Sequence, residues 1–230
     1  MTPLLTVPIQ AKTPEAIFKA IPKERKVQAI EIWIDHLNKK YLTPELISAL
    51  IKQLKKKTTK KLVVVCKNNL ERGKYKGSDK EKVDLLVAAA HSGADFIDIG
   101  LHSQSKEIQR LKTAKKKAKL ILSHHDFTKT PVKKTLHSKV GQMKEKKADI
   151  IKVATMCHNV QDIERLMNLA LDLKRKKQAH IILGMGEAGI ITRLFAKHIG
   201  NTLNFVSLDS KTAPGQFDLK TMLSFEKVMK

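Results

Sequence analysis

The chain has 230 residues, of which 42% are hydrophobic, so it can bury a sizeable core and is not an intrinsically disordered protein. No apolar stretch approaches the roughly 20 residues of a membrane-spanning helix, and the N-terminus lacks the basic and apolar regions of a signal peptide. The two cysteines, Cys66 and Cys157, lie far apart and in no metal-ligand spacing, which is typical of reduced thiols. We therefore expect a cytoplasmic protein with no membrane partner.

Eight short apolar segments follow one another along the chain and are predicted to be strands. In chain order they are Leu4–Ile9, Ala29–Asp35, Lys61–Lys67, Asp95–Leu101, Lys119–His125, Ile150–Met156, His180–Met185 and Leu203–Leu208. Amphipathic segments lie between most of them. The clearest is "TPELISALIKQLKKK", which has apolar residues at helical spacing, Thr43 as N-cap and Pro44 in the first turn. The segments "DKEKVDLLVAAAHSG" and "NVQDIERLMNLALDLKRK" show the same pattern.

Strands that alternate with helices predict a parallel sheet, and eight such strands predict a single (β/α)8 TIM barrel over residues 1–230. An open, doubly wound sheet is the alternative. No linker or shift in composition divides the chain. The glycine-rich segment "GMGEAG" matches neither the Walker nor the dinucleotide-binding fingerprint.

The formal net charge is +23, from 45 lysines and arginines against 22 acidic residues, which raises the question of nucleic-acid binding. The lysine-rich segments each lie just before a predicted strand: "PKERK", "KKKTTKK", "KTAKKKAK", "KEKK" and "KRKK". In a barrel these positions form the bottom face, away from the catalytic face, and they complement the negative ends of the helices. Aromatic residues are only 4% and are not interleaved with the lysines. We therefore expect a solvated cationic face rather than a nucleic-acid site, with polyanion binding as the alternative.

One predicted strand, "ADIIKVATM", carries a lysine in its middle, although lysine is rarely buried without a partner. An inward-pointing Lys152 has two common uses, as a salt-bridge partner or as a nucleophile that forms an imine with a carbonyl substrate. Desolvation lowers the pKa of a lysine and so favours the nucleophilic, neutral form. Strand position alone leaves both uses open.

The neighbouring strand favours the nucleophile. It ends in "SHHDF", where side-chain alternation places His125 on the same face as Ser123 and within reach of Lys152. A lysine that forms an imine beside a general acid and base is suited to chemistry at the carbon next to a carbonyl. The alternative for His125 is a histidine that caps the strand within the core.

These two strands, together with "ITR" at 191–193 and "TAPGQ" at 212–216, resemble the motifs of type I 3-dehydroquinate dehydratase. "EIWID" and "DFIDIGL" also fall where strand motifs of that family fall, so the resemblance covers nearly the whole chain. It implies a (β/α)8 barrel with a role in the shikimate pathway, which leads to the aromatic amino acids. It also implies 3-dehydroquinate as the substrate.

The resemblance further implies a mechanism. Lys152 would form a Schiff base with the C3 ketone of 3-dehydroquinate, and His125 would remove the C2 proton and protonate the departing C1 hydroxyl. No metal or cofactor is implied, because the protonated imine is the electron sink. The implied substrate-binding residues are Glu31, Lys67, Arg193, Thr212 and Gln216. Arg193 as an ordinary helix residue and Gln216 as an ordinary loop residue are the alternatives.

Three positions depart from the implied pattern. Trp33 replaces an active-site arginine on strand two, and Lys67 replaces an arginine at the end of strand three. Gly100 replaces a glutamate on strand four that the resemblance assigns to orienting the catalytic histidine. If Gly100 is a simple loss, we expect proton donation by His125 to suffer and Gly100→Glu to increase turnover.

Three hypotheses follow from this pattern. The first is an atypical 3-dehydroquinate dehydratase. The second is another lysine-imine enzyme, such as an aldolase or lyase with a changed substrate. The third is a barrel without catalysis that binds partners through its basic face. The retained Lys152, His125, Arg193 and Gln216 favour the first. The sequence leaves the oligomeric state open, with a homodimer as one alternative.

Overall fold

The computed structural model describes residues 2–208 and 213–228. Within them it contains eight strands: β1 (Leu4–Ile9), β2 (Ala29–Trp33), β3 (Lys61–Val65), β4 (Phe96–Gly100), β5 (Lys119–Asp126), β6 (Ile150–Met156), β7 (His180–Met185) and β8 (Leu203–Phe205). All eight predicted strands are therefore confirmed, and β1, β6 and β7 have the predicted ends.

Several strands end earlier than the sequence predicted. β2 ends at Trp33 because the chain turns into a 3-10 helix over Ile34–His36. β3 ends at Val65, and the following Lys67 N–H donates to the side chain of Asp35 at 3.0 Å instead of to a neighbouring strand. Apolar residues continue beyond the last residue of β2 and of β3, so the apolar pattern alone predicted strands that are too long.

The helices alternate with the strands. In the described residues they are α1 (Pro14–Lys19), α2 (Pro44–Lys57), α3 (Asp79–His91), α4 (Ser105–Ala114), α5 (Lys133–Glu145), α6 (Val160–Arg175), α7 (Gly186–Gly189), α8 (Ile191–Leu194), α9 (Ala196–Ile199) and α10 (Leu219–Val228). The predicted cap of α2 is confirmed, because Thr43 Oγ1 accepts from Leu46 N at 3.3 Å. A capping box of Ser78 and Glu81 starts α3.

The strands belong to one eight-stranded sheet with the order β7-β6-β5-β4-β3-β2-β1-β8. Parallel strands that alternate with helices in this order are the (β/α)8 class of fold, so the predicted fold class is confirmed. Within residues 2–208 and 213–228, no helix combines the length and apolar composition needed to cross a membrane.

The chain divides into two compact units, which we call unit 1 (Met1–Val7 with Ser123–Lys230) and unit 2 (Pro8–Leu122). In unit 1, β6 pairs with β7 and β1 pairs with β8. In unit 2, β2 pairs with β3 and β3 pairs with β4. The prediction of one catalytic domain over residues 1–230 stays a prediction.

Candidate active site

Lys152 is the third residue of β6 in unit 1, opposite Ile181 of β7. Its side chain is nearly buried, with 6% of the residue exposed, and its Nζ lies 4.7 Å from the centroid of the Phe205 ring. Phe205 is the last residue of β8, so the ammonium lies against an aromatic face at the carboxyl end of that strand. Parallel strands of this fold carry their catalytic groups at their carboxyl ends.

His125 is the next-to-last residue of β5 and is half-buried. Its ring stacks on that of Phe127, with centroids 5.8 Å apart and an angle of 7° between the planes. The chain leaves the strand directly afterwards, because Asp126 Oδ1 accepts from the backbone N–H groups of Thr128 and Lys129 at 3.0 Å each. This turn and the ring stacking restrict the orientation of the imidazole.

Arg193 lies on α8, the short helix that follows β7 and α7. The residue is 2% exposed, and in the described part of the chain its Nε and Nη1 have no hydrogen-bond partner. Burial lowers the pKa of Arg193 to about 10, so the guanidinium is still charged at neutral pH. The helix is held in place because Thr192 Oγ1 accepts from Gly184 N and donates to Gly189 O, both at 2.8 Å.

Gln216 is 2% exposed and lies in the segment between β8 and α10. The preceding Gly215 has φ +75°, and a Cβ there would lie 2.4 Å from the carbonyl oxygen of Gly186. Only glycine permits this approach between the segments that follow β7 and β8. Thr212, the other predicted residue of this segment, lies outside the described residues.

Glu31 lies on β2 in unit 2 and is 2% exposed. Its Oε2 accepts a hydrogen bond from the indole Nε1 of Trp33 at 2.7 Å. Trp33 therefore supplies a donor to this carboxylate, although it carries no charge. Where the resemblance implies an arginine, this chain therefore has a hydrogen-bond donor without a positive charge.

Lys67 follows β3 and is 1% exposed. Its Nζ donates to Asp98 Oδ1 at 2.6 Å and to Glu71 Oε1 at 2.9 Å, and both carboxylates are buried. Burial alone lowers the pKa of a lysine, but these two carboxylates outweigh it and raise the pKa of Lys67. Lys67 is therefore a permanently charged lysine, unlike the nucleophile expected on β6.

The segment after β3 is fixed by a third buried carboxylate, that of Asp35. Asp35 Oδ1 accepts from Lys67 N and Asp35 Oδ2 accepts from Lys74 N, each at 3.0 Å. Between these two anchors the chain forms a 3-10 turn over Asn69–Glu71, which places Glu71 beside Lys67.

A family model described as type I 3-dehydroquinase matches residues 5–230 of this chain. The chain belongs to the type I 3-dehydroquinase family. Membership confirms the family and the hydro-lyase class that the motifs predicted. A 3-dehydroquinate dehydratase from Coxiella burnetii is 31% identical to it over 226 residues, which are 97% of this chain and 92% of the relative. One from Methanosarcina mazei is also 31% identical, over 90% of this chain and 87% of the relative.

The fold is similar to that of a solved type I 3-dehydroquinate dehydratase from Clostridium difficile, which contains covalently modified comenic acid. The two chains share a TM-score of 0.90 and 26% identity, over 99% of this chain and 92% of the other. This 3-dehydroquinase therefore has the expected (β/α)8 fold class.

Gly100, at the end of β4, is not the simple loss that the sequence suggested. A Cβ built at Gly100 would lie 2.7 Å from Glu71 Oε2, and 2.4 and 2.6 Å from Cε1 and Nδ1 of His102. The ends of the Glu71 and His102 side chains already occupy this space, so a side chain at Gly100 requires both to move. The expectation that Gly100→Glu increases turnover, which assumed a simple loss, stays a prediction. A glutamate there would displace both neighbours.

Glu71 and His102 were not among the predicted site residues of this 3-dehydroquinase. The spacing of Lys67 and Glu71, four residues apart, was the one local signal for the carboxylate. That signal was weak, because the segment between them is a turn rather than a helix. The approach of both side chains to Gly100 depends on tertiary folding, which no local pattern encodes.

Proposed function

We propose that this chain converts 3-dehydroquinate to 3-dehydroshikimate through a Schiff base on Lys152, with His125 as the general acid and base. The observation that carries the proposal is Arg193, a buried guanidinium whose Nε and Nη1 have no hydrogen-bond partner among the described residues. A buried cation of this kind requires an anion, and its planar fork suits a carboxylate. The substrate of the 3-dehydroquinases carries such a carboxylate.

The proposed reaction proceeds in three steps. The neutral Lys152 amine attacks the C3 ketone, and loss of water gives a protonated imine. The imine acidifies the C2 proton, which His125 removes before it delivers a proton to the C1 hydroxyl, so that this group leaves as water. Hydrolysis of the imine releases the product and restores the amine. No external oxidant or cofactor enters this sequence.

The remaining roles concern substrate binding. Glu31 binds substrate hydroxyl groups, and the Trp33 hydrogen bond at 2.7 Å fixes the orientation of its carboxylate. Lys67 donates to the substrate through its ammonium, and Asp98 and Glu71 fix the position of that ammonium. Thr212 and Gln216 cover the substrate from the segment after β8. The cytoplasmic location and the homodimer stay predictions.

Reduction with borohydride tests the proposal directly. Intact-mass and peptide mass spectrometry should find one substrate-derived adduct on Lys152 when borohydride and 3-dehydroquinate are added together. Omission of either reagent is the first control, and Lys152→Met, which has no amine to trap, is the second. A chain that is folded, shows no adduct and makes no 3-dehydroshikimate contradicts the proposal. An adduct without product favours the alternative of a lysine-imine enzyme with another substrate.

A further inference from the structure

His102 lies two residues beyond the end of β4, and its ring occupies space that a side chain at Gly100 would otherwise fill. The imidazole is partly covered, with 33% of its side chain exposed. Its Nε2 lies 3.3 Å from Asn68 Nδ2 and 3.9 Å from Glu71 Oε2. The ring therefore contacts the same turn that holds Glu71.

The hydrogen bonds of Asn68 define the protonation of this ring. Asn68 Oδ1 accepts from Leu70 N at 3.1 Å, so the amide nitrogen is the group that faces His102. An amide nitrogen only donates, and His102 Nε2 must then be the acceptor. The neutral ring therefore carries its proton on Nδ1, beside Gly100.

We propose that His102 is a positioning residue of this 3-dehydroquinase: its neutral ring fills the space at Gly100 and holds the Glu71 carboxylate against Lys67. The inference rests on the proposed function, in which Lys67 contributes to substrate binding. Lys67, Glu71 and Asp98 carry one positive and two negative charges within a buried cluster. A neutral neighbour leaves both carboxylates bound to Lys67.

Protonation of His102 changes this arrangement. A proton on Nε2 removes the acceptor for Asn68 and creates a donor toward Glu71 Oε2. Lys67 binds the other oxygen of this carboxylate, Oε1, so the charged ring draws Glu71 away from Lys67. Within unit 2, Glu71 and Asp79 favour the charged ring, whereas burial, Lys82 and Lys67 oppose it. Burial is the largest of these effects, and the pKa of His102 is lowered. The ring is therefore neutral at neutral pH and becomes charged only in acid.

The first experiment follows the titration of His102 by NMR in the full chain. In Glu71→Gln the pKa of His102 should fall further, since a nearby anion is lost. In Asn68→Ala it should rise, since the donor that favours the neutral ring is lost. His91, whose Nε2 lies 2.7 Å from Ala114 O, is the internal control and should not change. A His102 titration that is identical in all three proteins overturns the proposal.

The second experiment measures the kinetics of substitutions at position 102. His102→Ala should lower kcat/KM about tenfold, mainly through KM, because Glu71 loses one of its supports. His102→Gln places an uncharged acceptor near the position of Nε2 and should restore most of the affinity. It should also abolish the rise in KM at acid pH that protonation of His102 causes. A glutamine variant that is as weak as the alanine variant, or that keeps the acidic rise, overturns the proposal.

A double-mutant cycle separates this inference from the proposed function. Gly100→Ala should raise the equilibrium constant for unfolding, because the new methyl group meets the His102 ring. When His102→Ala is added, the effect of Gly100→Ala on this constant should be at least about fivefold smaller. If the effects of the two substitutions on the free energy of unfolding simply add in the double variant, the proposal is overturned. The cycle and the NMR titration need no turnover, so they remain decisive for His102 even if 3-dehydroquinate is not trapped on Lys152. Failed trapping contradicts only the proposed function.

Discussion

Two buried lysines, one in each unit, have different neighbours. Lys67 in unit 2 is bound by the carboxylates of Asp98 and Glu71, which raise its pKa. Lys152 in unit 1 lies with its Nζ against the ring of Phe205. Two carboxylates hold Lys67 in its charged form. The proposed function instead requires Lys152 to lose its proton before it attacks the ketone. Burial alone therefore does not identify a nucleophile, and the neighbours of the lysine decide its use.

The same contrast extends to the two units as wholes. Unit 1 contains Lys152, His125, Arg193 and Gln216, all of which match the motifs of the family. Unit 2 contains the departures at Trp33, Lys67 and Gly100. Each departure in unit 2 has a local compensation: an indole donor to Glu31, two carboxylates on Lys67, and a filled space at Gly100. The groups proposed for covalent chemistry are kept, and the three departures all lie in unit 2.

The largest expected effect tests the proposed nucleophile. Lys152→Met should lower kcat by roughly 10⁴-fold or more, because no imine can form without the amine. Product formation is followed by ultraviolet absorbance and unfolding by chemical denaturation. Lys134→Met, an exposed lysine on α5, is the matched control and should keep full turnover. If Lys152→Met keeps substantial turnover, Lys152 is not the nucleophile.

The second prediction concerns the other lysine and has the opposite signature. Lys67→Met should lower the free energy of unfolding by about 3 to 5 kcal/mol, because it leaves Asp98 and Glu71 as buried anions without their cation. Lys67→Arg, which keeps the charge, should lose less. Denaturant titration at neutral pH measures both. If Lys67→Met is as stable as the unchanged protein, the two lysines do not differ as described.

Most of the fold could be predicted from the sequence, because apolar periodicity and helix caps are local signals. The ends of β2 and β3 could not, since side chains such as Asp35 capture the backbone N–H groups there. Lys152 and His125 could be named because each interrupts or ends an apolar strand. Glu71 and His102 could not be named. Their importance arises from a shared contact with Gly100, which only the folded chain creates.

The third prediction concerns Arg193, where activity and stability should change in opposite directions. Arg193→Met should reduce kcat/KM by roughly 30- to 1000-fold, mostly through KM, since a buried charged hydrogen-bond partner of the substrate is lost. The free energy of unfolding should increase by about 1 to 3 kcal/mol, because the guanidinium is buried with two nitrogens unpartnered in the described residues. A loss of both activity and stability means that Arg193 is an ordinary structural arginine.

The fourth prediction concerns the pH dependence of stability in unit 2. Burial, followed by the charge of Lys74, lowers the pKa of His36 from 6.5 to about 4. Asp35 Oδ2 lies 3.7 Å from His36 Nε2, but this oxygen already accepts from Lys74 N, so burial decides the direction. Between these two pKa values the unfolded chain binds more protons than the folded chain. The contribution of the neutral His36 to the free energy of unfolding is therefore fully present above about pH 6.5. It is lost as the pH falls toward 4.

His36→Phe isolates this contribution, because phenylalanine keeps the ring packed against Trp33 and cannot titrate. The difference in unfolding free energy between the variant and the unchanged protein should vary by about 1 to 2 kcal/mol between pH 7 and pH 4. Denaturant titrations at each pH measure it. The stability of the variant relative to the unchanged protein should be higher at pH 4 than at pH 7. A difference that is constant with pH shows that His36 has the same pKa in both states.

The smallest expected effect tests whether the indole N–H of Trp33 orients Glu31 for substrate binding. Trp33→Phe keeps the aromatic ring and removes the indole N–H that donates to Glu31 Oε2. It should raise KM about fivefold, because a buried carboxylate then loses a hydrogen bond worth about 1 kcal/mol. Trp33→Arg supplies a donor again and should restore the affinity, although it adds a charge. If Trp33→Phe binds the substrate as well as the unchanged protein, Glu31 is oriented by other contacts. The compensation in unit 2 would then be confined to Lys67 and Gly100.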